Sequence, residues 1–179
     1  YALTIRAAYS LQAGRYSLSP SMTVPEIVKK FESGDVVKEK IIIIEGWDLR
    51  DIAGYLEEKG KFGGKDFFQL AGFPPNETPK GAKLLLAEDF SKEFSFLRDK
   101  PNNSGLEGYL FPDTYEISQE ENLEDIIRKI LKNFDRKMTP ELKEEISRQK
   151  KLIFEIITTA SILEKEVKEF QDKKLVSGI

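Results

Sequence analysis

The sequence contains no cysteine and no histidine among its 179 residues. Without cysteine the chain can form no disulfide and offers no thiolate to a metal. Without histidine it lacks the commonest metal ligand and the usual base of a serine or cysteine triad. We therefore expect neither a metal nor a cofactor. Any acid–base chemistry has to use Glu, Asp, Tyr or Lys side chains.

Long apolar runs and blocks of positive charge are also missing. The longest aliphatic run, Ile41 to Ile44, is far shorter than the roughly 20 residues that cross a membrane as a helix. The net charge is -3, so the sequence does not predict a nucleic-acid partner. The chain begins at Tyr1 and stops after a charged stretch without a helix stop signal, and we expect it to be a fragment.

Two segments of the first part resemble each other, residues 16–34 and residues 41–60. Each pattern predicts a short strand, a turn, an N-cap and an amphipathic helix. Thr23 opens a T-x-x-E capping box, Asp48 is the second N-cap, and a glycine follows each helix. We interpret the segments as two small strand–helix units.

The second part is dominated by helical patterns. Helices are predicted at about 65–71, at 123–134, from Thr139 onward, and at about 151–170. Segments rich in Pro and Gly predict loops at 72–83 and at 100–105, and we place a domain boundary near the second loop. The predicted fold class is α+β, a small strand–helix region followed by a helix-rich α+β part.

One acidic residue is surrounded by glycines and aromatics in the segment SGLEGYLFPDTYEIS, residues 104–118. Period-2 alternation would place Glu107, Tyr109 and Phe111 on one side of a strand, and the flanking glycines would leave open space for a ligand. A partly desolvated carboxyl among aromatics has a raised pKa and suits proton donation to a sugar. Residue types alone favour the alternative, a turn glutamate beside core aromatics, and residues 112–115 predict a turn.

The last predicted helix carries another candidate acid. On a helical projection Glu164 falls on the apolar face between Ile153 and Ile157, whereas Glu166 falls outside that face. An inward carboxylate costs several kcal/mol unless it is paired or reaches a wet cleft. Glu164 is therefore predicted either to form a structural ion pair or to line a polar site.

Several of these segments resemble one family. LEGYLFPDTYEI (106–117) resembles the signature of the MltG/YceG-like family of endolytic murein transglycosylases, and TASILEKEV (159–167) resembles its second motif. Residues 13–34 and 41–53 resemble the LysM-like region of that family. The resemblance spans nearly the whole chain.

The resemblance implies a membrane-anchored bacterial enzyme that acts outside the cytoplasm, with an anchor that is not in this chain. Its substrate would be the glycan strands of peptidoglycan, its product would carry 1,6-anhydro-muramoyl ends, and cell-wall synthesis proteins would be further partners. The family's catalytic glutamate maps onto Glu107. The expected substrate-binding residues are Ser161, Glu164, Glu166, Tyr109 and Tyr115.

The resemblance also implies a domain organisation. Residues 1–100 would form the LysM-like region, as two units of about 1–40 and 41–100. Residues 101–179 would be the N-terminal part of the catalytic domain, which in the family continues beyond the second motif.

The chemistry leaves three readings open. A lytic transglycosylase needs one acid, because the substrate's own C6 hydroxyl is the nucleophile and one glutamate serves first as acid and then as base. A conventional glycosidase would pair Glu107 with Glu164 and leave reducing ends. A non-catalytic module would bind cell-wall glycan or act as a scaffold without cleaving anything.

Overall fold

A computed structural model describes residues 11–73, 90–101 and 104–166. These residues form six α-helices and a two-stranded antiparallel sheet, which confirms the predicted α+β class. The helices are α1 (Val24–Ser33), α2 (Leu49–Glu58), α3 (Gly64–Ala71), α4 (Leu123–Lys137), α5 (Pro140–Arg148) and α6 (Ile153–Glu166). The strands are β1 (Lys38–Ile43) and β2 (Asp113–Ser118), and short 3₁₀ turns lie at Phe90–Lys92 and Ser95–Leu97.

The predicted helix starts are confirmed at α1 and α2. The Glu26 carboxylate accepts a hydrogen bond of 2.7 Å from the Thr23 N–H, and α1 ends at Gly34 with a φ of 66°. Asp48 caps α2 by accepting from the N–H groups of Arg50 and Asp51. Side-chain oxygens thus satisfy helix donors that have no intrahelical partner. The strand predicted before α1 is wrong, because the described residues 11–23 contain none.

The chain divides into two contact units. The first contains the described residues up to Ile41 together with Thr114–Asn122, and includes α1. The second contains the described residues of Ile42–Asp113 and those from Leu123 onward, and includes α2 to α6. The assignment of residues 1–100 to a LysM-like region stays a prediction, as does the boundary near residue 100. Of the predicted loop at 72–83, residues 74–83 lie outside the described residues.

An aromatic cluster lies in the core of the second unit. The ring centroids of Phe96 and Phe134 are 4.8 Å apart, and those of Tyr109 and Phe134 are 5.5 Å apart. Tyr109 is only 1% exposed. Burial of an apolar side chain such as Phe96 contributes about 1.5–3 kcal/mol, so this cluster stabilises the residues next to Glu107.

The last helix differs from its prediction. No residue of α6 is buried, and Glu164 is exposed. The prediction that Glu164 faces inward is therefore wrong, because the apolar stripe of α6 is only partly covered by the described residues. Residues 167–170 of the predicted helix lie outside the described residues.

Candidate functional site

Glu107 lies in a turn, not in a strand. The Leu106 N–H donates to the carbonyl of Ala71, and the Tyr109 N–H donates over 3.0 Å to the carbonyl of Leu106. Leu106 and Tyr109 are both buried, so they fix the turn from inside while Glu107 stays accessible. The predicted period-2 strand is wrong, because the buried positions, Leu106, Tyr109 and Leu110, do not alternate with exposed ones.

The residues after this turn also differ from the prediction. Residues 112–115 were predicted to form a turn, but β2 begins at Asp113. The Asp113 carboxylate accepts a hydrogen bond of 3.0 Å from Asn133 of α4. The amide of Asn133 in turn accepts one of 2.6 Å from Arg136. Asp113 therefore has a side-chain partner from α4, not just the local backbone.

The glycines beside Glu107 allow close approach of other parts of the protein. A Cβ on Gly108 would lie 2.4 Å from a methyl carbon of Ile157 on α6, and Gly108 has a φ of +80°. A Cβ on Gly105 would lie 2.5 Å from the carbonyl oxygen of Ala71 at the end of α3. These glycines let α3 and α6 approach the Glu107 turn, and the predicted open space lies beside them, in a cleft that Gly105 and Glu107 both line.

A cleft of about 660 Å³ opens between the Glu107 turn and α6. Its volume lies within the range of about 300–1,000 Å³ that is usual for ligand sites. Its lining includes Glu107, Ser161, Glu166, Lys165, Phe73 and Phe154.

The cleft brings together three of the predicted site residues, Glu107, Ser161 and Glu166. Glu164 is exposed and is not among the lining residues. Tyr109 and Tyr115 are 1% and 5% exposed, so in this structure they are core side chains and not available for sugar contacts.

The Glu107 carboxylate is held at the start of a helix. It accepts a hydrogen bond of 3.2 Å from the N–H of Leu49, the first residue of α2. The N-terminus of a helix carries partial positive charge and donors without intrahelical partners, so it is a natural place for a carboxylate. The side chain keeps solvent access at the cleft, where a substrate could reach it.

The surroundings of Glu107 favour its protonated form. Loss of hydration is the main cause that raises the pKa of Glu107 above its ordinary value, and the nearby Asp48 carboxylate adds to it. The Leu49 N–H, Lys165 and Arg50 act in the opposite direction but do not reverse the shift. A carboxyl with a raised pKa in an open cleft can donate a proton.

Asp48 differs from Glu107 although it lies close by. Burial alone would raise the pKa of Asp48, but hydrogen bonds from the N–H groups of Asp51 and Arg50 and the charges of Arg50 and Lys165 lower it. One carboxyl is therefore biased toward the neutral form and its neighbour toward the charged form. Such divergence between neighbouring carboxyls is typical of acid–base sites.

Lys165 is a cleft residue that the sequence analysis missed. Its ammonium group donates a hydrogen bond of 2.8 Å to the carbonyl of Gly46. The signal was in the sequence, because Lys165 lies four residues after Ser161 and residues at i and i+4 share a helix face.

Neither a metal cluster nor a membrane helix is found in the part of the chain that the structure describes. There, no three His, Cys, Asp or Glu residues come close enough together to hold a metal ion. None of the described helices combines the length and the apolar character that crossing a membrane requires.

Comparison with known proteins gives the family. The model of the YceG-like family matches residues 1–179, so the chain belongs to the YceG-like family. It is 29% identical over 180 residues to an endolytic murein transglycosylase of Streptococcus pneumoniae serotype 2, covering 94% of this chain and 32% of that protein. It is 28% identical over 186 residues to the endolytic murein transglycosylase of Bacillus subtilis, covering 100% of this chain and 49% of that protein.

A solved structure agrees with the family. A yceG-like protein of Listeria monocytogenes superposes with a TM-score of 0.59 at 28% sequence identity, over 97% of this chain and 56% of that one. The chain thus spans between about a third and a half of the curated relatives that it matches.

Proposed function

We propose that this chain supplies part of the catalytic site of a peptidoglycan lytic transglycosylase, with Glu107 as its general acid and base. The observation that carries the proposal is the setting of Glu107, an accessible carboxyl with a raised pKa in a cleft, held by the Leu49 N–H. The relatives named endolytic murein transglycosylase support the substrate class.

The reaction needs a single carboxyl that acts twice. Protonated Glu107 donates its proton to the glycosidic oxygen as the bond from that oxygen to C1 of the muramoyl residue breaks. The resulting carboxylate then takes the proton of the C6 hydroxyl while O6 bonds to C1. The product carries a 1,6-anhydro end, no water is consumed, and Glu107 is protonated again. A raised pKa suits the first step, and hydrogen bonding to the charged form suits the second.

The remaining cleft residues are assigned to substrate binding. The Ser161 hydroxyl and the Glu166 carboxylate can hydrogen-bond sugar hydroxyls, while Phe73 and Phe154 offer apolar surface to sugar rings. Phe73 and Phe154 take the role that the sequence analysis assigned to Tyr109 and Tyr115. This assignment adds two aromatic residues from outside the recognised motifs.

We extend the proposal to the full-length protein on the strength of the family resemblance alone. It would act on the extracytoplasmic face of the bacterial membrane, through an anchor outside this chain, and work with cell-wall synthesis proteins. Fractionation of cells that express the tagged full-length protein tests the location. Recovery in the cytoplasmic fraction would contradict it.

The central test uses the full-length protein, purified peptidoglycan and mass spectrometry of the products. We expect anhydro-ended fragments, lighter by one water molecule than hydrolysis products, and none with Glu107→Gln. Retention of cleavage in Glu107→Gln would contradict the role of Glu107.

Two other results would select the alternative functions. Products with reducing ends would indicate a two-carboxylate glycosidase, in which Glu166 becomes the candidate partner because it lines the same cleft as Glu107. Glycan binding without any cleavage would indicate a non-catalytic module.

A further inference from the structure

The cleft contains a cation that the proposed mechanism does not use. Among the described residues that line the cleft, Lys165 is the one basic side chain. It lies in the last turn of α6, and its ammonium group donates to the carbonyl of Gly46 over 2.8 Å. Gly46 lies two residues before the N-cap Asp48. This hydrogen bond therefore joins the helix that forms one wall of the cleft to the turn that leads into α2.

The position of this turn decides where the partners of Glu107 lie. The Trp47 N–H donates over 3.2 Å to the carbonyl of Ile44 and closes the turn. Two residues later the Leu49 N–H donates to the Glu107 carboxylate over 3.2 Å. A displaced turn would carry this donor away from Glu107. Misplacement of a catalytic group by about 1 Å can cost on the order of 100-fold in rate.

Lys165 also belongs to a balanced set of charges around Glu107. The charged groups that influence Glu107 are the Asp48 carboxylate, the Arg50 guanidinium and the Lys165 ammonium. Arg50 is itself 3.4 Å from Asp48, so part of its charge is directed there. Glu166 is a further carboxylate in the lining of the cleft. Asp48 and Lys165 act on the pKa of Glu107 in opposite directions.

A group that must first release a proton and then take one back cannot be biased strongly toward either form. We propose that Lys165 is a positioning residue for Glu107, one that fixes the turn before α2 against α6 and offsets the negative charge of Asp48 beside the Glu107 carboxyl. The inference rests on the proposed function of Glu107 and adds to it a residue from another helix.

The test is the pH profile of kcat/KM for glycan cleavage by the full-length protein. Lys165→Met removes both the charge and the donor. We expect kcat/KM to fall roughly tenfold on the acidic plateau because Glu107 is less well positioned. The alkaline limb, where Glu107 loses its proton, should move to higher pH, since loss of a nearby cation raises the pKa of a carboxyl.

Two further variants test independently in which direction the alkaline limb moves. Lys165→Arg retains charge and donor and should keep the limb near its original place. Asp48→Asn retains the N-cap of α2 because Asn caps about as well as Asp. It should move the limb to lower pH, opposite to Lys165→Met, since it removes a nearby negative charge. A purely structural role for Lys165 would lower the rate without moving the limb.

Lys151→Met is the matched control, an exposed lysine just before α6 that does not line the cleft. It should leave the profile unchanged. If Lys165→Met lowers the melting temperature, the smaller neutral change Lys165→Gln provides the same comparison. An unmoved limb in both neutral variants overturns the inference about Lys165, even while Glu107→Gln abolishes cleavage. If Glu107→Gln still cleaves normally, the proposed function fails instead.

Discussion

Two helices of the second unit, α2 and α6, each receive a carboxylate from a distant part of the chain at their N-termini. Glu107 accepts from the N–H of Leu49, 58 residues away, at 3.2 Å. Asp99 accepts from the N–H of Ile153, 54 residues away, at 2.6 Å. The same type of interaction therefore occurs at both helices. Of these two carboxylates, however, only Glu107 lines the cleft.

The two helices differ in whether a residue next to the helix start caps it. In α2 the local cap Asp48 takes the N–H groups of Arg50 and Asp51, so Glu107 adds to a helix that is capped without it. In α6 it is Asp99 that takes the donors of the first two residues, Ile153 and Phe154. Because Asp48 already caps α2, this helix depends less on Glu107 than α6 depends on Asp99.

The largest expected effect is the difference in glycan cleavage between a variant of Glu107 and a variant of Asp99. Glu107→Gln should reduce glycan cleavage by about 10²–10⁴-fold, the usual contribution of a general acid or base. Asp99→Asn should keep cleavage within about tenfold of the original, since Asn can still cap α6. Product release from labelled peptidoglycan measures both. Equal losses in the two variants would show that Glu107 is structural in the way that Asp99 is.

Gly108→Ala tests the contact between the Glu107 turn and α6. The added methyl would lie 2.4 Å from a carbon of Ile157, at a residue with a φ of +80°. Overpacking and backbone strain together should lower the free energy of unfolding by about 3 kcal/mol, as measured in urea. Gly46→Ala is the matched control, with a φ of +81° but nothing within 4 Å of the added carbon, and should cost about 1 kcal/mol. Similar costs would mean that α6 can move away from the turn.

Asp99→Ala tests the structural carboxylate directly. Loss of the α6 cap should lower the free energy of unfolding by about 1–2 kcal/mol, and Asp99→Asn should restore most of it. Amide exchange at Ile153 and Phe154 should become faster in the Ala variant. Glu107→Ala should cost less in the same urea experiment because Asp48 still caps α2. If Glu107→Ala lowered the free energy of unfolding more than Asp99→Ala does, Glu107 and not Asp99 would be the more important structural carboxylate.

The smallest expected effect is on the pH dependence of stability. The pKa of Glu107 is raised in the folded state above its ordinary value of 4.5. The folded state thus binds this proton more tightly than the unfolded state does. The contribution of Glu107 to stability is complete at pH values below its ordinary pKa. It is lost as the pH rises through the raised pKa of the folded state. Urea unfolding of Glu107→Gln at several pH values should lack this decline. A parallel pH dependence in both proteins would contradict the sign of the shift.

The parts of the fold that were predicted correctly depend on neighbouring residues. Thr23 and Asp48 lie three residues before an acid that completes a capping box, and the stripe from Leu123 to Phe134 is a local 3.6-residue pattern. Such signals need no knowledge of the rest of the chain. The α+β class followed from them.

The errors concern features that distant residues decide. Glu107, Tyr109 and Phe111 alternate in the sequence, but Tyr109 is buried against Phe134, which pulls the segment into a turn. The close approach of Ile157 to Gly108 could not be predicted either, because nothing local indicates that α6 lies against the Glu107 turn. The candidate acid could be selected from its residue types and its resemblance to a family, whereas its hydrogen bond to Leu49 could not.

The hydrogen bond between Leu49 and Glu107 has a consequence for how the chain folds. Bringing together groups 58 residues apart requires a large loop to close, a step with a high entropic cost that contributes to slow folding. Until the two groups meet, Glu107 is an ordinary solvated glutamate with no special acidity. If the proposed function holds, a nascent or damaged chain carries no competent acid, and glycan cleavage is gained and lost together with the tertiary structure.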